Sequence, residues 1–275
     1  MTDPASALYW APHPYKEEGT MRIGGRDLKQ ALRALLATQN YVAAANMFRI
    51  YERPFEMYKR YVFALGDYPA VARVRTPLGA FGLEIYSSDD VRTVNEVFCR
   101  IDYASGPRES IFVDFGSNIG ISAAYFLTRN TTGFAYLFEP LPQNVERLRR
   151  NLHGFDGRYA LQVSAVGLRN GEVDFGWEPT GRYGGIGNDV GNWTTVNCLD
   201  SNEVLREILN KHGKIDVLKI DIETLEREVT KRIPVDLARH VRKIYVENRF
   251  ESNPLADTHV YRQYGSIAQF SLKST

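Results

Sequence analysis

The segment Val113-Asp114-Phe115-Gly116-Ser117-Asn118-Ile119-Gly120 constrains this chain more than any other. It follows the apolar run Ile111-Phe112-Val113 and opens into Ser122-Ala123-Ala124-Tyr125-Phe126-Leu127, so it reads as buried strand, glycine loop and helix. The two glycines let the chain reverse sharply and let a ligand approach the backbone closely. The first N–H groups of the following helix lack intrahelical partners and offer themselves to a polar ligand. Taken alone, the same pattern also describes a tight turn with no ligand.

The rest of the chain decides between these readings. Tyr136-Leu137-Phe138 ends at Glu139, and Tyr159 to Val166 is a third run. Ile215 to Ile220 ends at Asp221, and Lys243 to Val246 ends at Glu247. Helical stretches separate several of them, which predicts a mostly parallel sheet covered on both faces, a Rossmann-like, doubly wound α/β fold. Glu139 lies about 20 residues past the loop, where an acid accepts hydrogen bonds from the ribose hydroxyls of an adenosine cofactor. The loop itself, Asp114-x-Gly116-x-x-x-Gly120, lacks the close glycine pair of the dinucleotide fingerprint. An acid at its head repels a pyrophosphate but can receive the amino group of a methionine moiety. S-adenosylmethionine (SAM) therefore fits, and NAD fits poorly.

These blocks resemble the FkbM-type SAM-dependent methyltransferases over roughly residues 72 to 270. The family's D-x-G-x-N-x-G loop corresponds to Asp114, Gly116, Asn118 and Gly120. Its F-E-P-x-P-x-N block stands intact as Phe138-Glu139-Pro140-Leu141-Pro142-Gln143-Asn144. Ala165-Val166-Gly167, Cys198-Leu199-Asp200 and Lys219-Ile220-Asp221-Ile222-Glu223-Thr224-Leu225-Glu226 follow in order. The resemblance implies a class I methyltransferase domain, SAM as methyl donor and an oxygen acceptor on a natural product, glycan or lipid. It implies that Asp114, Gly116, Asn118, Glu139, Ala165 and Val166 line the SAM pocket, with Phe115, Ser117, Gly120, Pro140 and Asn144 of the same blocks beside them. Thr224 departs from the family's usual glycine, which bears on the acceptor more than on the cofactor.

Transfer from a sulfonium to a hydroxyl needs the oxygen aligned with the methyl group and its proton removed. Asp221, Glu223 and Glu247 fall at strand ends, the edge where open α/β sheets bind ligands. Either Asp221 or Glu223 is then the base, or holds a divalent cation that acidifies the hydroxyl. The alternative is that Asp221 contacts the SAM amino group or caps the next helix. His259, in the polar segment Asn253 to His259, is a further candidate base on a possible lid. Gly184-Gly185-Ile186-Gly187-Asn188-Asp189 reads as a flexible loop over the acceptor or as a plain surface hairpin turn, with Arg182 and Tyr183 beside it placed to grip a sugar or phosphate.

Ahead of these motifs, residues 1 to about 25 read as an irregular arm, and Asp27 to Leu65 as helices broken at Pro54. Ala72 to Ile85 reads as a hairpin around Pro77-Leu78-Gly79, and Ser87 as a helix cap. The expected division is a helical extension over 1–70 and a methyltransferase domain over 71–275. Its helices, with Leu28, Leu32, Leu35 and Leu36, offer a surface for a homodimer. Lys and Arg number 34 against 33 Asp and Glu; this balance predicts no nucleic-acid partner. Met1 to Glu18 has no apolar signal core and no run approaches the ~20 apolar residues of a membrane span, which predicts a cytoplasmic protein. Cys99 and Cys198 are too far apart in sequence for a zinc motif. The reading is an O-methyltransferase acting on a sugar, glycan or natural-product hydroxyl. N-methylation of an amine and a non-enzymatic SAM-binding interaction protein are the alternatives.

Overall fold

The computed structural model describes residues 45–181 and 183–274, with the backbone at 22–23 and 26–27. Arg22–Ile23 (β1) and Arg26–Asp27 (β2) pair antiparallel. Of the helices expected between Asp27 and Leu65, residues 45–50 and Pro54–Phe63 (α1) are helical. The four leucines proposed for a dimer surface lie outside the described residues. Pro54 separates the two helical runs by starting the second, where its missing N–H costs nothing. Met47, Tyr51 and Met57 enter the same core as the sheet.

The hairpin forms as its alternation predicts. Ala70–Thr76 (β3) and Gly79–Ile85 (β4) pair antiparallel from Ala70↔Ile85 to Thr76↔Gly79. Ala72, Val74, Leu83 and Ile85 point inward. Ser87 caps Ser88–Val94 (α2) through a reciprocal capping box with Asp90. The helix continues as a π-helical stretch over Asn95–Arg100.

The main sheet is built from Ile111–Phe115 (β5), Phe134–Phe138 (β6) and Tyr159–Gln162 (β7) in the first half of the domain. Ala165–Gly167 (β8), Gly171–Trp177 (β9), Gly184–Ile186 (β10) and Asn192–Asp200 (β11) form a separate four-stranded sheet in the order β10-β9-β11-β8. Ile215–Ile220 (β12), Val241–Val246 (β13), His259–Tyr264 (β14) and Ile267–Leu272 (β15) complete the main sheet, whose order is β14-β15-β13-β12-β5-β6-β7. Its strands are parallel except β15, which runs antiparallel to both β13 and β14.

Both faces are covered, which is why β12 is buried at all six positions. Phe112, Ala135, Leu137, Val217 and Tyr245 face a core shared with Ile121–Leu127 (α3), Pro142–Asn151 (α4) and the hairpin. Val113, Phe115, Leu218, Ile220, Ile244 and Val246 face Ser201–His212 (α5), Glu226–Arg232 (α6) and Val235–Ala238 (α7). This is a doubly wound α/β arrangement. Among the described residues no helix is long and apolar enough to cross a membrane.

Two expectations are corrected. The run Tyr159 to Val166 is not one strand. It breaks at Val163-Ser164, and Ala165–Gly167 leaves the main sheet to pair in parallel with Cys198–Asp200. Gly167 permits this, since a Cβ there would press on Cys198 Sγ and on Ile186 at 3.0 Å each. Gly184–Ile186 is not a free loop either: its backbone pairs with Phe175–Trp177.

Candidate active site

The chain leaves β5 through Gly116 at φ 85°, and both Gly116 N and Ser117 N donate to Phe138 O at 3.2 and 2.9 Å. A Cβ on Gly116 would lie 1.8 Å from Asp221 O, a backbone atom that cannot step aside. Gly116→Ala is therefore expected to separate the glycine loop from the end of β12. Titration of S-adenosylhomocysteine into the variant should show affinity reduced at least tenfold, about 1.4 kcal/mol, or lost.

The end of β6 supplies the opposite bank. Glu139 Oε2 accepts Asn118 N at 2.9 Å, and Oε1 accepts Leu141 N at 3.0 Å and Asn144 Nδ2 at 3.2 Å. Burial pushes its carboxyl up to about 7, although these donors oppose the shift. Gly116, Asn118, Glu139, Pro140, Asn144, Ala165 and Val166 all line one cleft, together with Ser164, and Asp221 and Glu223 stand across it. Phe175, Gly184 and Ile186 of the second sheet, with Gly181 from the connection between β9 and β10, close it over. Gly181 O accepts from both Asn118 Nδ2, at 3.3 Å, and Asn144 Nδ2, at 2.8 Å. Two buried polar atoms of the lining, Ser164 Oγ and Asn144 Oδ1, have no partner.

Four residues expected in the pocket are elsewhere. Asp114 does not face the cleft: it shares strand parity with Phe112, is fully buried, and accepts from Lys219 Nζ at 3.0 Å and from the Ser122 hydroxyl. Phe115 packs edge-on against Phe138, 5.4 Å between ring centres. Ser117 ties the loop together, its Oγ donating to Asp114 O and accepting Phe138 N, both at 3.0 Å. Gly120, at φ 84°, starts α3 against Leu148.

Lys219 is a residue that sequence reasoning missed. Its ammonium is buried and reaches Asp114 Oδ1, Gly116 O and Asp221 Oδ2 at 3.0, 2.9 and 3.1 Å. Burial works against its charge, but Asp114 and Asp221 outweigh it and raise its pKa. The available signal was a lysine inside an otherwise apolar strand, since a buried cation requires a buried partner. Glu247 N donates to Ile220 O at 3.0 Å, which sets Glu247 beside Asp221. The Asp221 charge, and then burial, hold the Glu247 carboxyl well above its ordinary range. Glu223 and Thr224 follow in left-handed backbone, φ 54° and 71°, which is costly for a β-branched residue. Thr224 Oγ1 offsets this by donating to Ile186 O at 2.9 Å, binding the turn to β10.

His259 is not a lid base. It begins β14 at the amino edge of the sheet, opposite Leu272, and is buried with Nε2 2.9 Å from Val241 O and Nδ1 2.8 Å from Thr258 Oγ1. Both ring nitrogens are engaged in structure, and burial lowers its pKa. The segment before it is likewise fixed, Asn253 bonding Leu255 N and His259 O at 2.9 and 2.8 Å. Arg182 lies outside the described residues. Among the described residues no three His, Cys, Asp or Glu side chains converge to hold a metal ion, so the expected divalent cation has no support in this donor set.

Residues 114–262 match the family model of the methyltransferase FkbM domain. The chain belongs to the FkbM methyltransferase family. Membership implies SAM as the methyl donor. The FkbM domain is also similar to the AMB antimetabolite synthetase AmbE of Pseudomonas aeruginosa, 27% identical over 148 residues; that match takes in 53% of this chain and 7% of the relative's length. Among solved structures it is similar to methyltransferase FkbM from Methylobacillus flagellatus KT, with 12% identity, a TM-score of 0.39 and coverage of 86% of this chain and 62% of that one. A methyltransferase from Geobacter sulfurreducens shows 15% identity and a TM-score of 0.40, with 90% and 96% of the two chains covered.

Proposed function

We propose that this FkbM domain transfers the methyl group of SAM to a hydroxyl oxygen of a sugar, glycan or natural-product acceptor. The observation that carries the reading is the cleft itself: Glu139 on one bank, Asp221 and Glu223 on the other, and two unpartnered buried polar atoms between them. These features suit SAM. Glu139 is a ribose-hydroxyl acceptor, Ser164 Oγ and Asn144 Oδ1 offer hydrogen bonds to adenosine heteroatoms, and Gly116 keeps the floor open. Bound SAM supplies an electrophilic methyl on a sulfonium. Asp221 takes the acceptor proton while Lys219 holds it in place, and the same Asp221 charge raises the pKa of the neighbouring Glu247 carboxyl. Thr224, by fixing β10 against the turn, shapes the acceptor side of the cleft.

The similarity to an antimetabolite synthetase supports a natural-product acceptor over a glycan. The three strand-end carboxylates also suit an amine, so N-methylation is the second reading. Incubating the protein with SAM and a panel of alcohols, sugars and amines, then fragmenting the products by mass spectrometry, separates the two. Asp221→Asn is expected to lower turnover by roughly 10²–10⁴-fold, the usual worth of a general base. Near-normal turnover in both Asp221→Asn and Glu223→Gln would remove the strand-end carboxylates from the mechanism.

A further inference from the structure

The amino edge of the sheet carries a second pocket of different chemistry. Residues Ala104 to Glu109 loop past the start of β13 and, with Arg242 and Lys243, enclose an open pocket of about 380 Å³. Three cations, Arg108, Arg242 and Lys243, line it against one carboxylate, Glu109. That carboxylate is already committed. Its Oε1 accepts Lys243 Nζ at 3.0 Å and lies 3.7 Å from Arg242 Nη1, and its Oε2 accepts Gly106 N at 2.6 Å. Burial favours its neutral form, but Lys243 and the Gly106 N–H outweigh burial and lower its pKa, so it is ionised.

Subtracting one carboxylate from three cations leaves the lining at a formal +2, in a chain whose whole net charge is +1. Lys243 is turned inward onto Glu109 and Ala104 O. Arg242 keeps 55% of its side chain exposed, and Arg108 is exposed with no ion pair among the described residues. In the same wall the Ser105 hydroxyl is buried and has no hydrogen-bond partner. Two guanidiniums and an unsatisfied hydroxyl around one opening match an anion with several acceptor oxygens and two charges.

We propose that this pocket binds a phosphate monoester, with Arg108, Arg242 and Ser105 as its cradle. It is separate from the methyl-transfer cleft. Arg242 and Lys243 stand at the start of β13 and Val246 ends it beside Glu247, so the two sites are about 15 Å apart along the strand. Lys243 and Glu109 brace the cradle from behind without being its contacts.

The test is titration of inorganic phosphate and of phenyl phosphate into the full chain at low ionic strength, followed by isothermal calorimetry. Saturable binding is expected, weakened roughly tenfold or more in Arg108→Ala/Arg242→Ala and less in Ser105→Ala, because each charge-assisted contact is worth more than a neutral one. S-adenosylhomocysteine binding should be unchanged in the same variants, which excludes misfolding. Sedimentation with phosphatidic-acid vesicles separates the sources: co-sedimentation lost in the double variant assigns a lipid phosphate, and binding of the soluble esters alone assigns a free one. Absence of saturation with either phosphate, or equal binding by the double variant, overturns the proposal.

Discussion

Replacing Lys219 by methionine is expected to cost about 3–5 kcal/mol of stability, the usual penalty for removing one partner of a buried ion pair. Methionine fills much the same space, so the loss comes from charge. Asp114 is fully buried and would retain only the Ser122 hydroxyl, and Gly116 O would lose its donor. The variant should also bind S-adenosylhomocysteine poorly, because Lys219 ties the glycine loop to the end of β12. Denaturant unfolding with an unchanged m-value is the measurement. The companion variant Lys219→Met/Asp114→Asn removes both charges and should recover much of the stability. A single variant within about 1 kcal/mol of wild type, less than one buried pair is worth, would mean that the pair is not charged in the folded protein.

This network marks where the sequence stops being legible. The glycine loop, Glu139 and the strand-end acids could be read because each sits where an apolar run ends, and the parallel sheet places all such ends along one edge. The hairpin could be read because Ala72, Val74, Leu83 and Ile85 alternate with polar neighbours. Asp114 deceived because strand parity, not position in a motif, decides which way a side chain points; it follows Phe112 into the core. His259 deceived because polar neighbours suggested solvent, whereas β14 pairs with β15 and brings it under Val241 O. The second sheet was hidden for another reason. Pairing Ala165–Gly167 with Cys198–Asp200 joins segments more than thirty positions apart, and no local periodicity encodes such a contact. Phe175 and Gly181 in the roof of the cleft were therefore missed, and Gly184–Ile186, expected over the acceptor, proved to be a strand rather than a loop.

The affinity for S-adenosylhomocysteine is expected to rise with pH and to level off above about 7, the value to which burial pushes the Glu139 carboxyl. In the unfolded chain the same carboxyl ionises near 4.5. Below that value both states hold the proton. Between about 4.5 and about 7 the unfolded chain has released it and the folded chain has not, so folding stability falls as pH rises through this window. At about 1.4 kcal/mol per pKa unit the cost accumulates to about 3 kcal/mol for this buried group. Ribose hydroxyls that donate to the carboxylate favour its ionised form, so binding releases a proton wherever free Glu139 still holds one. The expected result is up to a tenfold gain in affinity per pH unit below about 7, with proton release measured by titration in buffers of different ionisation enthalpy. Glu139→Gln should flatten both the stability curve and the affinity curve, and should bind weakly throughout, because its amide N–H₂ would oppose the Asn118 N–H that now donates to Oε2. An affinity independent of pH from about 5.5 to about 8 in the wild type, across the range where a carboxyl raised by burial must titrate, would mean that Glu139 does not receive the ribose.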